Sequence, residues 1–445
     1  MKKGTKDMKG FYKITFLIGL GFFTMGLMDP LYDTYVPIFL SNYLKSMGLV
    51  GIIMTLDNLF AVFLIPIVSA LSDRTRTPIG RRMPYIIVTL PLTAVFFASI
   101  PSAALKSLAF LIIVIFLLNI FKQAARGPVV ALMPDTIPGH LRSEANGVIN
   151  TMGGIAAIVG TVALAKLFDL NVRLPLFGEN RILFPSKDPS AVPSYVGKLP
   201  FLISGILVIL ATILLFLFVK ERKEATEKQE KKTSVKESLK MIAGAGDKSA
   251  LFILLSLLLW FIGYQGVLPF IGKYSRDILG TTEGTAALAA GMVAIAYALF
   301  AIPSGIIAHK IGRKKTIRIS LLFLTAILLI IFFHDPVTTA LGFSSGAKLA
   351  SFWVLMFLFG AFWVSIITNS FPMLWQMATY SDMGIYTGLY YTFSQTAAIL
   401  APPITGFIID LSGFRGIFLF AMVCMFSAFL IMGLVKKGEP EEDPA

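Results

Sequence analysis

Residues 71–84, LSDRTRTPIGRRMP, decide how the rest of the chain is interpreted. They carry Asp73 and Gly80 among four arginines, between two long apolar runs. A tight charged turn between two membrane helices needs a glycine for close backbone approach, and it carries cations if it faces the cytoplasm. A weaker copy, HKIGRKK, occupies residues 309–315. Two such loops at matching places in two halves indicate an internally duplicated membrane protein.

The composition is that of a membrane protein. Of 445 residues, 56% are hydrophobic and only 14% are charged, whereas a soluble protein of this length needs far more polar surface. The net charge of +14 does not indicate nucleic-acid binding, because the cations lie in short loops between apolar runs. The single cysteine, Cys424, excludes an internal disulfide.

Twelve apolar segments are long enough to cross a bilayer, which takes about 20 helical residues. They cover residues 11–40, 48–71, 85–100, 108–133, 146–168, 199–219, 250–271, 284–308, 316–333, 350–375, 385–410 and 414–435. This pattern predicts an all-α integral membrane protein with two pseudo-symmetric six-helix bundles, residues 1–219 and 249–445. Residues 220–248, rich in Lys and Glu, form the predicted cytoplasmic linker between them.

Lysine and arginine set the expected orientation. Most of the 39 basic residues lie at the N-terminus, after the second and eighth spans, and in the linker. Because cytoplasmic loops carry an excess of Lys and Arg, both termini are expected in the cytoplasm. We therefore expect a multi-pass protein of the plasma (cytoplasmic) membrane.

Internal repetition supports the two-bundle interpretation. Tyr32, Asp33, Pro37 and Gly80 recur with unchanged spacing as Tyr264, Gln265, Pro269 and Gly312, and Gly147 and Asp169 recur as Gly388 and Asp410. Matches in the same order predict halves related by an axis along the membrane normal, as in transporters built from parallel repeats.

Polar residues inside the spans of the first half indicate a site. An ionisable group in hydrocarbon costs about 2.5–3.5 kcal/mol on insertion scales, so it usually faces a cavity or a partner. The candidates for ion coupling are Asp29, Asp33, Asp57 and Arg126. Beside them, Tyr32, Asn119 and Gln123 are candidates for substrate binding. Structural contacts between helices are the alternative interpretation.

The second half offers aromatic rings and amides instead of buried charges. All four tryptophans lie here. Indole and phenol rings stack on the apolar face of a sugar ring, while amides bond its hydroxyls. The substrate-binding candidates here are Trp260, Tyr264, Gln265, Trp363, Asn369 and Gln395. Anchoring at the membrane interface is the alternative for Trp353 and Trp375.

The sequence contains no motif that indicates an enzyme. It contains no G-x-x-x-x-G-K-[ST] loop, which argues against an ATP-driven pump. It shows no recognisable Ser/His/Asp set and no histidine pair suited to a metal. No cofactor and no metal are expected. The charged loops remain candidates for gating, through Asp73, Arg74, Gly80, Arg81, Gly312 and Arg313.

A family resemblance rests on residues 66–86, PIVSALSDRTRTPIGRRMPYI. They are similar to the signature between helices 2 and 3 of the glycoside–pentoside–hexuronide cation symporters of the major facilitator superfamily. They most resemble the branch with the plant sucrose/proton carriers. That branch has a Gly-Pro in helix 4 and an Arg–Ala–Asn stretch opening helix 5. Here these are Gly127-Pro128 and Arg142, Ala145 and Asn146, so the resemblance adds Arg142 to the gating candidates.

Departures from the family pattern limit what the resemblance implies. Sucrose carriers have an acidic residue, thought to take the proton, where this chain has Asn119, and an arginine where it has Val130. Melibiose-type carriers place two aspartates one turn apart in helix 2, where only Asp57 is present. Sucrose is therefore not implied, and sodium coupling is weakly supported.

Together these features predict a secondary active transporter that imports a glycoside or oligosaccharide with a proton, or alternatively with sodium. The expected partners are this small-molecule substrate, the coupling ion and the lipid bilayer. Two alternatives stay open. One is a facilitator or exporter of another amphipathic solute, such as a drug or lysolipid, and the other is a non-transporting membrane sensor.

Overall fold

The structure is a computed structural model that describes residues 11–137, 142–169, 198–221, 242, 244, 246–377 and 383–439. Within these ranges the regular structure is helical throughout, which confirms the predicted fold class. An all-helical chain suits a bilayer because each helix satisfies its own backbone hydrogen bonds where no water is present.

The described residues form fourteen α-helices. In chain order they are α1 (Tyr12–Ser41), α2 (Met47–Met54), α3 (Leu56–Arg74), α4 (Met83–Ala104), α5 (Leu108–Thr136), α6 (Arg142–Ile158), α7 (Lys198–Phe218), α8 (Ser249–Asp277), α9 (Glu283–Ala286), α10 (Leu288–Ile311), α11 (Arg313–Ala340), α12 (Ser345–Trp375), α13 (Met383–Ser412) and α14 (Gly416–Gly433).

Among the described residues, eleven helices are long and apolar enough to cross a membrane. The predicted second span is α2 followed directly by α3, and the predicted eighth is α9 followed by α10. The predicted third span, the shortest in the sequence, is the 22-residue α4. The predicted fifth is a shorter apolar helix, Thr151–Leu164. In it α6 widens at Val159–Leu164 into a π-helix, a form often found at functional sites.

Helix starts repeat between the two halves. Ser46 and Ser107, before α2 and α5, accept hydrogen bonds from backbone N–H groups three residues on. Thr282 and Ser344 do the same before α9 and α12. A hydroxyl at this position satisfies one of the unpaired N–H groups of a helix start and typically stabilises it by about 1 kcal/mol. The equivalent helices of both halves therefore begin with the same chemistry.

The chain divides into two units. The first consists of Met1–Lys45, Leu56–Glu227 and Thr281–Gly291, and the second of Ser46–Thr55, Lys228–Gly280 and Met292–Ala445. In the first, α1 packs on α6, and α4 packs on α5 and α7. In the second, α8 packs on α13 and α14, α11 packs on α12 and α14, and α2 packs on α13.

Candidate functional site

A lysine in α5 gathers carboxylates from two other helices of the first unit. Lys122 Nζ lies 2.6 Å from Asp29 Oδ1 on α1 and 3.1 Å from Asp57 Oδ2 on α3. Gln123 donates a second hydrogen bond to Asp57 through Nε2. The lysine side chain is only 4% exposed. Two carboxylates share one cation within the span, and both are among the candidates for ion coupling predicted from the sequence.

Asp33 belongs to the same face of α1, one turn beyond Asp29. It is half-buried, and it forms no hydrogen bond or ion pair with any residue that the structure describes. Its situation therefore differs from that of Asp29 and Asp57, each of which pairs with Lys122. Among the predicted coupling residues, Asp33 is the carboxylate without a fixed partner.

Two more predicted residues complete this cluster. Asn119, fully buried, donates a hydrogen bond of 3.1 Å from Nδ2 to the hydroxyl of Tyr32. The ring of Tyr32 lies 5.3 Å from Lys122 Nζ, within the range of a cation–π contact. The three helices α1, α3 and α5 thus bring Asp29, Tyr32, Asp33, Asp57, Asn119, Lys122 and Gln123 together. We call these seven residues the acidic cluster.

Arg126 is not the cation that these carboxylates contact. The structure places Lys122, one turn earlier on α5, against Asp29 and Asp57. No ion pair of Arg126 with the described residues is found. Both cations lie on one helical face, about 6 Å apart along the axis. The rotation of α5 and the heights of α1 and α3 decide which of them meets the acids.

The second unit brings aromatic rings together. Tyr264 on α8 stacks on Trp363 of α12, with ring centroids 3.9 Å apart and planes 3° from parallel. Phe261 meets Trp363 edge-on at 5.4 Å and lies 6.3 Å from Tyr390 of α13. We call Phe261, Tyr264, Trp363 and Tyr390 the aromatic group. Tyr264 is half-buried, while Trp363 behind it is buried.

The other predicted binding residues of this half have different surroundings. Gln265 follows Tyr264 on α8 and is half-buried, and it forms no hydrogen bond with the described residues. Trp260 is fully buried. The amide of Asn369 bonds its own helix at Ser365 O, 2.8 Å away. Gln395 keeps a buried Oε1 that no described residue bonds.

Carboxylates bind the arginines of the basic loop between α3 and α4 in the first unit. Arg81 bonds Asp135 of α5 through Nε, at 3.0 Å. Arg82 bonds Asp135 at 2.9 Å and also pairs with Asp73. Hydrogen bonds to Asp135 raise the pKa of the Arg81 guanidinium above its ordinary value. Two gating candidates, Asp73 and Arg81, thus belong to one network that links three segments, whereas Arg74 is exposed.

Glu221, after α7, binds the backbone of this loop. Its carboxylate accepts hydrogen bonds from the backbone N–H groups of Arg81, Arg82 and Met83, at 2.8, 2.9 and 2.8 Å. A carboxylate at the start of α4 satisfies free N–H groups and complements the helix dipole. Gly80 precedes these groups with φ +114°, and a Cβ there would lie 2.5 Å from Glu221 Cδ.

The second unit repeats this arrangement in its own loop. Glu439, after α14, accepts from the backbone N–H groups of Arg313 and Lys314 at 2.8 and 2.6 Å. Gly312 has φ +94°, and a Cβ there would lie 3.1 Å from Glu439 Oε1. The gating candidates Gly80 and Gly312 therefore have the same structural role. Arg142 begins α6, but its side chain lies outside the described part of the chain.

Sequence reasoning missed the two glutamates and the role of Lys122. Glu221 and Glu439 each follow the last helix of a half and precede no recognisable motif. Both lie just after the last helix of a half, after α7 and after α14, and this shared position could have marked them as equivalent residues. Asp135, at the end of α5, carried no such signal.

Asp410, which the repeat pairs with Asp169, caps α2 in the second unit. Its carboxylate accepts from Ser46 Oγ at 2.5 Å, Met47 N at 2.6 Å and Gly48 N at 3.0 Å. The side chain of Asp169 lies outside the described part. The cap fixes the start of α2 against the end of α13.

We expect Gly80→Ala to lower the free energy of unfolding by about 2–3 kcal/mol. The residue would adopt a positive φ at a cost of about 1–2 kcal/mol, and it would displace Glu221 from a cap worth about 1 kcal/mol. Thermal unfolding of the purified protein measures the loss.

Gly280→Ala is the matched control for that substitution. Gly280 has φ +68° and nothing within 4 Å of its Cβ position, so the control variant carries only the backbone strain. Equal losses in the two variants would show that contact with Glu221 contributes nothing.

Comparison with known proteins identifies the family of the chain. The family model of the Major Facilitator Superfamily matches residues 15–337 and 253–445. A hexuronate transporter of Bacillus subtilis (strain 168) is 24% identical over 269 residues, which are 56% of this chain. That match spans 60% of the length of the relative.

Solved structures share the fold at low sequence identity. A bacterial homolog of the human lysosomal transporter Spinster, in an inward-facing and unoccupied conformation, superposes with a TM-score of 0.72 at 14% identity. The superposition covers 97% of this chain and 99% of that one. A D-xylose–proton symporter gives a TM-score of 0.69 at 13% identity and covers 96% and 98%. At such identities the likeness extends to the fold alone.

Proposed function

The chain belongs to the Major Facilitator Superfamily, and on that premise we propose that this membrane transporter imports a glycoside or oligosaccharide together with a proton. Alternating access of two six-helix bundles, residues 1–219 and 249–445, moves the substrate. The observation that carries the proposal is the acidic cluster, in which Lys122 pairs with Asp29 and Asp57 while Asp33 has no such partner.

The proposed coupling step uses Asp33. An ionisable group within a span marks the route of a proton or ion. Lys122 already pairs with two carboxylates of the cluster, so proton exchange at Asp33 changes the charge of the site without breaking those pairs. The balancing cation in this proposal is Lys122, and Arg126 serves as a second cation one turn along α5.

The proposed sugar site is the aromatic group with Gln265. The stacked rings of Tyr264 and Trp363 form a flat apolar surface of the type that a sugar ring covers, and an amide can bond the sugar hydroxyls. Trp260, Asn369 and Gln395 remain proposed contributors from the same half. The relative described as a hexuronate transporter supports a sugar-like substrate, and the proposal places the chain in the glycoside–pentoside–hexuronide branch.

The proposed location is the plasma (cytoplasmic) membrane, with both termini in the cytoplasm. The basic loop with Gly80 and the loop with Gly312 both carry clustered cations, and such loops remain on the cytoplasmic side. Residues 220–248 would then form a cytoplasmic linker. Labelling of single cysteines introduced at Thr77 and Ser345 tests this orientation, since only the latter should react from outside.

The function itself is tested with purified protein in liposomes. A panel of radiolabelled glycosides, oligosaccharides and hexuronides is offered under an inward pH gradient, a sodium gradient or neither. Accumulation of a glycoside driven by pH alone supports the proposal. Accumulation driven by a sodium gradient alone would identify sodium, and not the proton, as the coupling ion. Equilibration without accumulation would indicate a facilitator. Efflux of a drug or lysolipid with no sugar flux would overturn the proposal.

Removing the ring or the amide should weaken substrate binding. We expect Tyr264→Leu and Gln265→Leu each to raise KM about three- to tenfold, since a stacking or hydrogen-bonding contact of about 1 kcal/mol is lost. The turnover number should change less. Initial uptake rates over a range of sugar concentrations separate the two constants.

Trp353→Phe is the control for those two variants, because it changes an aromatic residue of α12 outside the aromatic group. Its KM should match that of the unmodified protein. If Tyr264→Leu and Gln265→Leu also leave KM unchanged, the sugar binds elsewhere.

A further inference from the structure

A cleft of about 360 Å³ opens beside the start of α11, where α11 meets α14. Its polar lining consists of the cations Lys314, Lys315 and Arg318 and the carboxylate of Glu439. All of these residues belong to the second unit. The cleft is separate from both the acidic cluster and the aromatic group, and no step of the proposed transport uses it.

Two of the four charged groups form hydrogen bonds with backbone groups at helix ends. Lys314 Nζ donates to the carbonyl oxygens of Gly433 and Val435, at 3.1 and 2.5 Å. The carboxylate of Glu439 accepts from two backbone N–H groups at the start of α11. Neither group forms an ion pair with the other two cations of the cleft, although the charge of Glu439 lies in the same lining.

The other two cations have no ion-pair partner among the described residues. Lys315 and Arg318 lie one turn apart on α11, and neither forms a hydrogen bond or ion pair with those residues. The guanidinium of Arg318 lies 4.6 Å from the ring centroid of Phe429 on α14. Its Nε is buried and no described residue accepts its hydrogen bond. Buried polar groups are usually hydrogen-bonded, so a cation with such a group is suited to an anion bound in the cleft.

The cleft continues into an apolar surface. Ile319 and Leu322, also in its lining, are 38% and 49% exposed. They follow the cations along α11, which spans the membrane, so their exposed surface faces lipid. A ligand that suits the whole cleft is anionic at one end and apolar along the rest.

The first half shows that the fold does not require these cations. When Gly312 is aligned with Gly80, Lys315 corresponds to Met83 and Arg318 to Ile86. Met83 and Ile86 are both buried apolar residues. Cations at these two aligned positions are thus particular to the second half.

We propose that this cleft binds an anionic phospholipid, with its phosphate on Lys315 and Arg318 and its acyl chains along Ile319 and Leu322. Basic pockets between helices on the cytoplasmic side favour anionic headgroups. In the proposed orientation the start of α11 lies at that side. The expected ligand is phosphatidylglycerol or another phospholipid with net negative charge, drawn from the surrounding bilayer.

Native mass spectrometry of the delipidated full-length protein tests the site. Phosphatidylglycerol and phosphatidylcholine are titrated against the unmodified protein, against K315Q/R318Q, and against the control K220Q/K310Q. The control removes two exposed lysines that the proposed orientation also puts on the cytoplasmic side. We expect the cleft variant to lose affinity for phosphatidylglycerol by about tenfold or more, since each basic residue near the headgroup contributes to anionic-lipid binding. The control and phosphatidylcholine should show no such change.

Two further experiments distinguish a lipid from a soluble anion and control for misfolding of the variant. Inorganic phosphate and glycerol 3-phosphate at millimolar concentration should not displace the lipid, because they lack acyl chains. The single variant K315Q changes an exposed side chain and should lose part of the affinity with the fold intact. Equal phosphatidylglycerol affinity in the unmodified protein, K315Q and K315Q/R318Q would overturn the proposal. Displacement by a free phosphate would also overturn it, by showing a site for a soluble anion.

Discussion

Replacing Lys122 with methionine is expected to reduce substrate uptake to background and to lower the free energy of unfolding by about 2–3 kcal/mol. The substitution leaves Asp29 and Asp57 facing each other without the cation that lies 2.6 and 3.1 Å from them. The loss falls at the low end for a broken buried ion pair, because the Asp29 side chain is 37% exposed and water screens its charge. Uptake in proteoliposomes and thermal unfolding measure the two effects.

Two further variants show whether charge causes that loss. In Lys122→Met/Asp57→Asn one of the two unpaired carboxylates is removed, and about half of the lost stability should return. Lys273→Met removes another buried lysine, one that pairs with Asp277 on its own helix, and should retain transport. Full uptake in Lys122→Met would mean that the acidic cluster has no part in transport.

Asp33→Asn is expected to retain sugar exchange and to lose accumulation driven by a pH gradient by at least about tenfold. An amide preserves the shape of the side chain and its hydrogen-bonding capacity, but it cannot carry a proton at physiological pH. Exchange of internal for external sugar needs only the reorientation of a loaded carrier. Accumulation needs a proton on each cycle. Counterflow and pH-driven uptake in the same proteoliposomes therefore respond differently.

Asp335→Asn is the control for Asp33→Asn. Asp335 is half-buried in α11, lies 3.5 Å from Lys348 and is not a member of the acidic cluster, so accumulation should continue in that variant. Asp29→Asn and Asp57→Asn should lose both exchange and stability, because each breaks a pair with Lys122. If Asp33→Asn accumulates sugar at the normal level, the coupling proton is carried elsewhere.

Much of the fold could be predicted from the sequence because hydrophobic length is a strong signal in membranes. The apolar segments and the two basic loops around Gly80 and Gly312 sufficed for the fold class. The break at Thr55 between α2 and α3 and the π-helical segment Val159–Leu164 left no such signal. Both depend on how a helix packs against its neighbours, and hydropathy does not record that.

The candidate site was predicted in part. Polar residues inside the spans of the first half indicated one site, with Asn119 and Gln123 as candidates beside the aspartates, and the structure brings them together. The choice between Lys122 and Arg126 depended on the rotation and depth of α5, and a helical pattern fixes neither. Glu221 and Glu439 contact loops that are distant in sequence. Such contacts depend on tertiary packing, so local sequence patterns do not predict them.

If sugar entry carries a proton through Asp33, proton movement can be measured directly. Proteoliposomes in weakly buffered medium, with no initial pH gradient, receive a saturating inwardly directed gradient of a transported glycoside while a pH electrode records the medium. We expect the medium to turn alkaline as sugar enters, with no such change in Asp33→Asn liposomes that still exchange sugar. Sugar entry without any pH change in the unmodified protein, or an equal pH change in Asp33→Asn, would contradict proton coupling through Asp33.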